Sequence, residues 1–176
     1  MPRPSLPLAA AGLLLLLCGG ATAQSVLSNG VLRFGSGSEH SFDSAGNLKQ
    51  PWIFSGATQQ WFKLTFGSNA LNMALGLDYG NAASWAGAFV SEFSMLTPLS
   101  SSDDPSQLVA TGQVGSLVTG YGNFTTRRRF VYRGAEFEVV NKYQLPAGDN
   151  FIQVDTTVTN VGATDMWNAR LWAGSR

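Results

Sequence analysis

The stretch TTRRRFVYRGAEFEVV, residues 125–140, decides the fold because it holds two alternating segments joined at a glycine. Side chains of an extended strand point alternately to its two faces. Arg128 and Phe130 therefore share one face with Phe137, while most of the charged side chains fall on the other. Gly134 permits a tight turn between the segments. The stretch predicts a β-hairpin with one buried and one exposed face.

Two registers of this hairpin fit its charges. A turn over residues 133–134 places Arg129 opposite Glu138. A turn one residue later places Arg133 opposite Glu136. Opposite charges across a strand pair stabilise it by ~0.2–1 kcal/mol. The basic run thus has acidic partners in its own hairpin, and we interpret it as a solvated sheet face rather than a docking strip for nucleic acid or a sulfated polymer.

Residues 1–23 have the features of a secretory signal peptide. Arg3 gives a positive start, an apolar run follows, and Ala21-Thr22-Ala23 fits the small-residue cleavage rule before Gln24. We expect a secreted, extracellular protein. The apolar run is shorter than the ~20 residues of a membrane span, so none is expected after cleavage. In a bacterial host, a periplasmic location or a lipid anchor on Cys18 is the alternative.

The composition of residues 24–176 excludes several kinds of chemistry. Cys18 is the only cysteine, so this part of the chain has no disulfides, thiolate metal sites or catalytic cysteines. His40 is the only histidine, and we expect it on the surface of a loop, so no metal, cofactor or catalytic residue is predicted. Eleven basic residues balance 11 acidic ones, and only 12% of the chain is charged, which argues against nucleic-acid binding.

The remaining pattern indicates a single all-β domain over residues 24–176. Twenty glycines and 11% aromatic residues are typical of strands joined by tight turns. We predict turns at residues 29–30 and 43–48, and a loop at residues 98–107, which are rich in Pro, Ser and Asp. Glycines interrupt the one helix candidate, residues 69–90. The expected architecture is an antiparallel β-sandwich.

The last strands predict a second hairpin with a loop over residues 161–164. This register places Val154 opposite Leu171 on an apolar face. On the polar face it places Asp155 opposite Arg170 as an ion pair. Because a slip of one residue would expose the apolar set, burial is expected to fix the register.

The polar face of this hairpin is a candidate carbohydrate-binding surface. Aromatic rings pack against the apolar side of a sugar, and amide and guanidinium groups make directed hydrogen bonds. The alternative is an ordinary polar sheet face with its tryptophan covered by another element. The predicted ligand contacts are Asn168, Arg170, Trp172, Gln153 and Asp155.

Other residues give weaker signals. Asn123 begins an N-glycosylation sequon, which marks a surface position if the host is a eukaryote. Trp52, Trp61 and Trp85 share no short-range pattern, and we expect them to pack in the core. Two carboxylates can hydrolyse glycosides, but no motif singles out such a pair among the acidic residues.

The segment RRRFVYRGAEFEVVNKYQLPAGDNFIQVDTTVTNVG resembles the strands and turns of extracellular β-sandwich modules, both immunoglobulin-like and galactose mutarotase-like supersandwiches. The resemblance covers about residues 121–173. The catalytic histidines and acid of the mutarotase-like group have no matching motif, so it implies no functional residue here. A supersandwich needs more strands after residue 176, so the resemblance implies a domain that is incomplete at its C-terminus, in a truncated chain.

These observations predict a secreted recognition or surface module without catalysis, with an extracellular glycan as its candidate partner. Two alternatives stay open. The chain is the N-terminal part of a glycan-active enzyme, of hydrolase or epimerase type, whose catalytic residues lie beyond it. Otherwise it is a structural surface or matrix protein. The pattern does not identify a ligand or an oligomeric state.

Overall fold

The computed structural model describes residues 24–65, 71–79, 88–132 and 134–174. This part of the chain is all-β, as predicted. Its one helical segment is the 3-10 turn Phe93–Met95, so these residues contain no helix that could cross a membrane. Its strands are β1 (Ser25–Leu27), β2 (Leu32–Phe34), β3 (Pro51–Ser55), β4 (Gln60–Lys63), β5 (Asn72–Tyr79), β6 (Ala88–Glu92), β7 (Ser100–Val114), β8 (Leu117–Tyr132), β9 (Ala135–Leu145), β10 (Gln153–Asn160) and β11 (Met166–Gly174).

The largest sheet is built around the predicted hairpin of β8 and β9. Its strand order is β1-β8-β9-β10, with β7 also paired to β8. Tyr132 pairs with Ala135, which sets Arg129 opposite Glu138 and confirms the first of the two predicted registers. Phe130 lies opposite Phe137 in the same ladder, and both are fully buried. Burying such a side chain stabilises the fold by roughly 1.5–3 kcal/mol.

The exposed face of the hairpin carries ion pairs between arginines and glutamates, but they are not the directly opposite pairs that the sequence predicted. Arg127 pairs with Glu138, and Arg129 Nε lies 2.7 Å from Glu136 Oε1. Two of the three consecutive arginines therefore have carboxylate partners on the neighbouring strand, which confirms the interpretation as a solvated hairpin face. The third, Arg128, is 4% exposed.

The predicted hairpin of the last two strands is wrong. β10 pairs with β9, and β11 pairs with β5 in a separate sheet of order β11-β5-β6. Asp155 consequently lies opposite Lys142, and Arg170 lies opposite Gly76. Alternation fixes which face of a strand is buried but not which strand is its neighbour. β9 supplies buried apolar partners for β10, since Val154 lies opposite Tyr143.

The predicted loop at residues 98–107 is also wrong, because most of it belongs to β7. Pro105 and Ser106 fall in a register shift between Asp104 and Gln107, where the ladder with β8 is interrupted. Proline is tolerated at such irregularities because its missing N–H is not needed there. The described part of residues 69–90 forms strands, and Trp85 lies outside the described residues.

The two predicted turns are confirmed. In the first turn Gly30 has a φ of 86°, and Ser28 and Arg33, on either side of the turn, pair with each other. In the second turn Gly46 has a φ of 83°, and Phe42 pairs with Leu48. Each turn brings glycine into the left-handed region, where it has no steric cost.

Two buried clusters hold the sheets together. The first packs Met73 and Leu75 of β5 against Phe130 and Phe137 of the hairpin, with Phe93 between them. The second joins the loop after β2 to the other end of the hairpin. Its members include Leu27, Phe34, Phe42, Leu48, Phe124 and Tyr143. All named strand pairings are antiparallel except β1 with β8. The full sandwich arrangement stays a prediction.

The buried Arg128 connects three parts of the chain. Its Nη1 donates to Asp103 Oδ1 of β7 at 2.6 Å, and its Nε donates to the carbonyl of Ser44 at 2.8 Å. The second carboxylate oxygen of Asp103 lies 3.5 Å from His40 Nε2. Contrary to the prediction, His40 is largely buried, and its Nδ1 lies 3.0 Å from the backbone nitrogen of Ser25.

These contacts control the charge of Asp103. Burial disfavours its ionised form, but hydrogen bonds from His40 and Arg128, with the positive charge of Arg128, outweigh burial and hold the pKa of Asp103 below its ordinary value. A lowered pKa in the folded state adds stability above the unfolded pKa of about 4. That stability is lost as the pH falls through the lower pKa that Asp103 has in the folded protein.

We predict that Asp103→Asn lowers the free energy of unfolding by about 3 kcal/mol at pH 7, because it leaves a buried guanidinium without its counter-charge. Urea denaturation followed by tryptophan fluorescence measures this. The difference from wild type should shrink as the pH falls below about 4. The matched control is Asp104→Asn, since Asp104 is exposed and, among the described residues, accepts only from Ser106. Equal effects of the two variants would contradict the assigned role of Asp103.

We also predict that Gly122→Ala destabilises the protein by roughly 1–3 kcal/mol. Gly122 has a φ of 108°, and a Cβ there would lie 2.7 Å from the carbonyl oxygen of Gln107 on β7. Gly112→Ala is the control, because a Cβ at Gly112 meets nothing within 4 Å. Thermal unfolding of both variants checks the prediction, and an unchanged midpoint for Gly122→Ala would contradict the close approach of β7 and β8.

Candidate binding cleft

A cleft of about 440 Å³ opens between the loop that follows β2 and the small sheet of order β2-β3-β4. Charged, amide and aromatic groups meet in it. Its lining residues are Gly35, Ser36, Glu39, Asp43, Lys49, Gln50, Trp52 and Lys63. We call this the Trp52 cleft.

The small sheet positions one wall of the cleft through its cross-strand pairs. Arg33 lies opposite Trp52, and Trp52 lies opposite Lys63, so these three side chains form one row on one face of the sheet. The neighbouring pair, Phe54 and Trp61, lies on the same face. The other face carries Leu32 and Ile53, which pack in or against the second buried cluster. Burial of that face directs the row away from the core.

Two cations flank the ring of Trp52. Arg33 Cζ lies 5.0 Å from its centroid and 4.5 Å from that of Trp61, and Lys63 Nζ lies 5.3 Å from the Trp52 centroid. Contacts of this kind stabilise by about 0.5–1 kcal/mol at exposed sites. Partial burial lowers the pKa of Arg33 from its ordinary value, but a guanidinium stays charged in proteins.

The opposite wall carries a fixed carboxylate. Glu39 Oε2 accepts from Lys49 Nζ at 2.7 Å, and its Oε1 accepts from the Ser36 backbone N–H at 3.0 Å. The hydrogen bond from Lys49, followed by that from Ser36, lowers the pKa of Glu39. Glu39 is therefore an ionised hydrogen-bond acceptor at neutral pH.

The turn at residues 43–48 supplies the rest of this wall. Asp43 Oδ1 accepts from the backbone N–H of Asn47 at 2.8 Å, and its Oδ2 accepts from Asn47 Nδ2 at 3.1 Å. The turn is tied to the large sheet, since Gly46 O accepts from Tyr143 Oη at 2.7 Å. Burial raises the pKa of Tyr143, so its hydroxyl remains a donor. The buried side chains of the large sheet thus fix the position of Asp43.

The five predicted ligand contacts lie on two different sheets. Gln153 and Asp155 lie together on β10, where Gln153 Nε2 donates to both Asp155 carboxylate oxygens at 3.2 Å. Arg170 and Trp172 lie at alternate positions of β11. Asn168 has a φ of 49° in a bulge between Trp167 and Arg170, which interrupts the expected alternation. Because the joining hairpin is absent, strand pairing does not gather these residues, and their role in binding stays a prediction.

Asn123 lies on the exposed face of the large sheet. Gln107, Asn123, Gln144 and Gln153 lie opposite one another in turn and form an amide row across β7, β8, β9 and β10. Asn123 Nδ2 donates to Gln107 Oε1 at 2.9 Å. A depression of about 230 Å³ beside this row also includes Lys142 and Asp155. Glycosylation of Asn123 stays a prediction.

The Trp52 cleft was not predicted from the sequence. Trp52 and Trp61 were expected in the core, yet both are half-exposed on one sheet face. Alternation in β4 does place Trp61 beside Lys63, so part of the signal was present. The missing information was the pairing of β3 with both β2 and β4, which sets Trp52 between Arg33 and Lys63.

Comparisons with protein-family models, with curated proteins and with solved structures found no match to this chain. The resemblance to β-sandwich modules is accordingly neither supported nor refuted. The geometry of the Trp52 cleft is the ground on which a function can be proposed.

Proposed function

We propose that this protein is a secreted recognition module without catalysis that binds carbohydrate in the Trp52 cleft. The observation that supports this best is the combination of one aromatic ring with carboxylate, ammonium and amide groups in a cleft of about 440 Å³. Small-molecule sites combine aromatic surface with a few placed polar groups in this way.

Each group has a role that suits a sugar. The ring of Trp52 offers apolar surface to the C–H face of a pyranose, in the manner of other aromatic packing, which is worth about 0.5–1.5 kcal/mol beyond area burial. Glu39 and Asp43 are acceptors for hydroxyl groups. Both carboxylates are already oriented by donors from Lys49 and Asn47, so little side-chain entropy is lost on binding.

The same contacts favour recognition over hydrolysis. A glycosidase needs one carboxylic acid with a raised pKa to protonate the leaving oxygen. The pKa of Glu39 is lowered instead, chiefly by its hydrogen bond from Lys49. Asp43 accepts from the backbone N–H and the side-chain amide of Asn47, so both of its oxygens already serve as hydrogen-bond acceptors.

We predict that Trp52→Ala weakens glycan binding at least tenfold, while Trp167→Ala leaves it unchanged. A tenfold rise in the dissociation constant corresponds to a loss of about 1.4 kcal/mol of binding free energy, which is within the contribution of a stacked ring. A glycan array identifies the bound oligosaccharides, and isothermal titration then compares the variants. Trp52→Phe should retain part of the affinity, which separates lost stacking from misfolding. Trp167 is a suitable control because it is a 52% exposed tryptophan on β11 and is not one of the predicted ligand contacts.

Three results would contradict the proposal. Failure of the folded protein to bind any glycan on the array would remove its basis. Loss of binding in Trp172→Ala but not in Trp52→Ala would move the site to β11. Release of reducing ends from a bound oligosaccharide would identify a glycan-active enzyme.

A further inference from the structure

We infer that the glycan is acidic, and that its carboxylate or sulfate group binds along the row formed by Arg33, Trp52 and Lys63. This inference rests on the proposed function and specifies the chemical class of the ligand. Two features of the row support it, namely its unpaired cations and its unsatisfied donors.

The two cations of the row have no carboxylate partner among the described residues. Lys49, in the same cleft, is neutralised by Glu39 at 2.7 Å. Neither Arg33 nor Lys63 takes part in any ion pair that the described side chains form, although each lies within 5.3 Å of the centroid of the Trp52 ring. The row therefore carries two cations that form no ion pair with a described carboxylate.

The row also contains two hydrogen-bond donors without acceptors. Arg33 Nε and Trp52 Nε1 are both shielded from solvent, and no described residue accepts a hydrogen bond from either. Buried polar atoms are nearly always satisfied, so each exception calls for an explanation. Both atoms are donors, so the group that would complete the row is an acceptor. Beside two cations, an anionic oxygen is the strongest acceptor available.

Geometry allows one ligand to engage the whole row. Arg33 and Lys63 lie on the strands either side of Trp52, so their backbones are two strand spacings apart, about 10 Å. Both cations lie over the Trp52 ring, so the acidic substituent of a sugar bound at the exposed part of that ring is within reach of either one. On the facing wall, Glu39 is paired with Lys49, and Asp43 accepts from the neutral Asn47 and forms no ion pair with either cation.

The test compares three probes by isothermal titration, namely oligogalacturonate, a sulfated galactan oligosaccharide and a neutral galactan oligosaccharide. The wild type should bind at least one acidic probe about tenfold more tightly than the neutral one, as expected for one added charge-assisted hydrogen bond. Lys63→Gln should remove most of that preference, because it should weaken binding of the acidic probe far more than binding of the neutral probe. The two acidic arms distinguish a carboxylate from a sulfate.

Lys142→Gln is the matched control, because Lys142 is an exposed lysine on β9, outside the cleft. Equal loss in Lys142→Gln and Lys63→Gln would show nonspecific attraction of polyanions and overturn the inference. A second result would overturn the inference but leave the proposed function standing. In that result the neutral and acidic probes bind equally well, and their binding is weakened by Trp52→Ala but not by Lys63→Gln. Failure of all three probes, with no other glycan bound, would overturn both.

Discussion

Arg128 lies inside the protein because backbone carbonyls and one carboxylate replace the water that its guanidinium loses. Nη1 donates to Asp103 and to the carbonyls of Ser102 and Arg127, and Nε donates to the carbonyl of Ser44. A buried ion pair of this kind adds little net stability, but leaving either member alone is costly. The constraint is therefore positional, since β7, β8 and the turn at residues 43–48 must come together around one side chain.

That constraint extends to the Trp52 cleft. The turn that packs on Arg128 also carries Asp43, and the chain leaving it supplies Lys49 and Gln50. The hydroxyls of Tyr143 and Thr126 both donate to Gly46 O, so the turn is held by the inner face of the large sheet. One wall of the cleft is thus fixed by buried polar contacts. The other wall is fixed by the apolar face of the small sheet, and a binding site built on two such supports needs little reorganisation to accept a ligand.

The local part of the fold was predictable from the sequence, and the long-range part was not. The hairpin of β8 and β9 follows from residues 125–140, but its charges fit two registers, and the structure selects the one in which Tyr132 pairs with Ala135. The last two strands show the limit. The alternation of β11 fits β10 as its neighbour as well as it fits β5, so the pattern alone does not choose between them. Strand choice depends on which neighbour buries Val154 and Leu75, and those contacts join distant residues.

The candidate site shows the same limit. Alternation does place Arg128 on the face of Phe130, but nothing in the sequence shows that Asp103 would reach it from a segment rich in proline and serine. Likewise, Trp52 and Lys63 are separated by 11 positions in the chain and become neighbours only through the pairing of β3 with β4. The residues that we propose to recognise a ligand come from three strands and a loop, so local patterns alone did not identify them.

The most direct test of this account is amide hydrogen exchange, measured by NMR in wild type and in Asp103→Asn under conditions where both are folded. If Arg128 and Asp103 hold the turn, the amides of Asn47 and Lys49, which donate to Asp43 and Ser41, should lose protection in the variant. The amides of Phe130 and Phe137 should keep theirs. Unchanged protection at Asn47 and Lys49, or equal loss throughout β8 and β9, would contradict the central role of this buried pair.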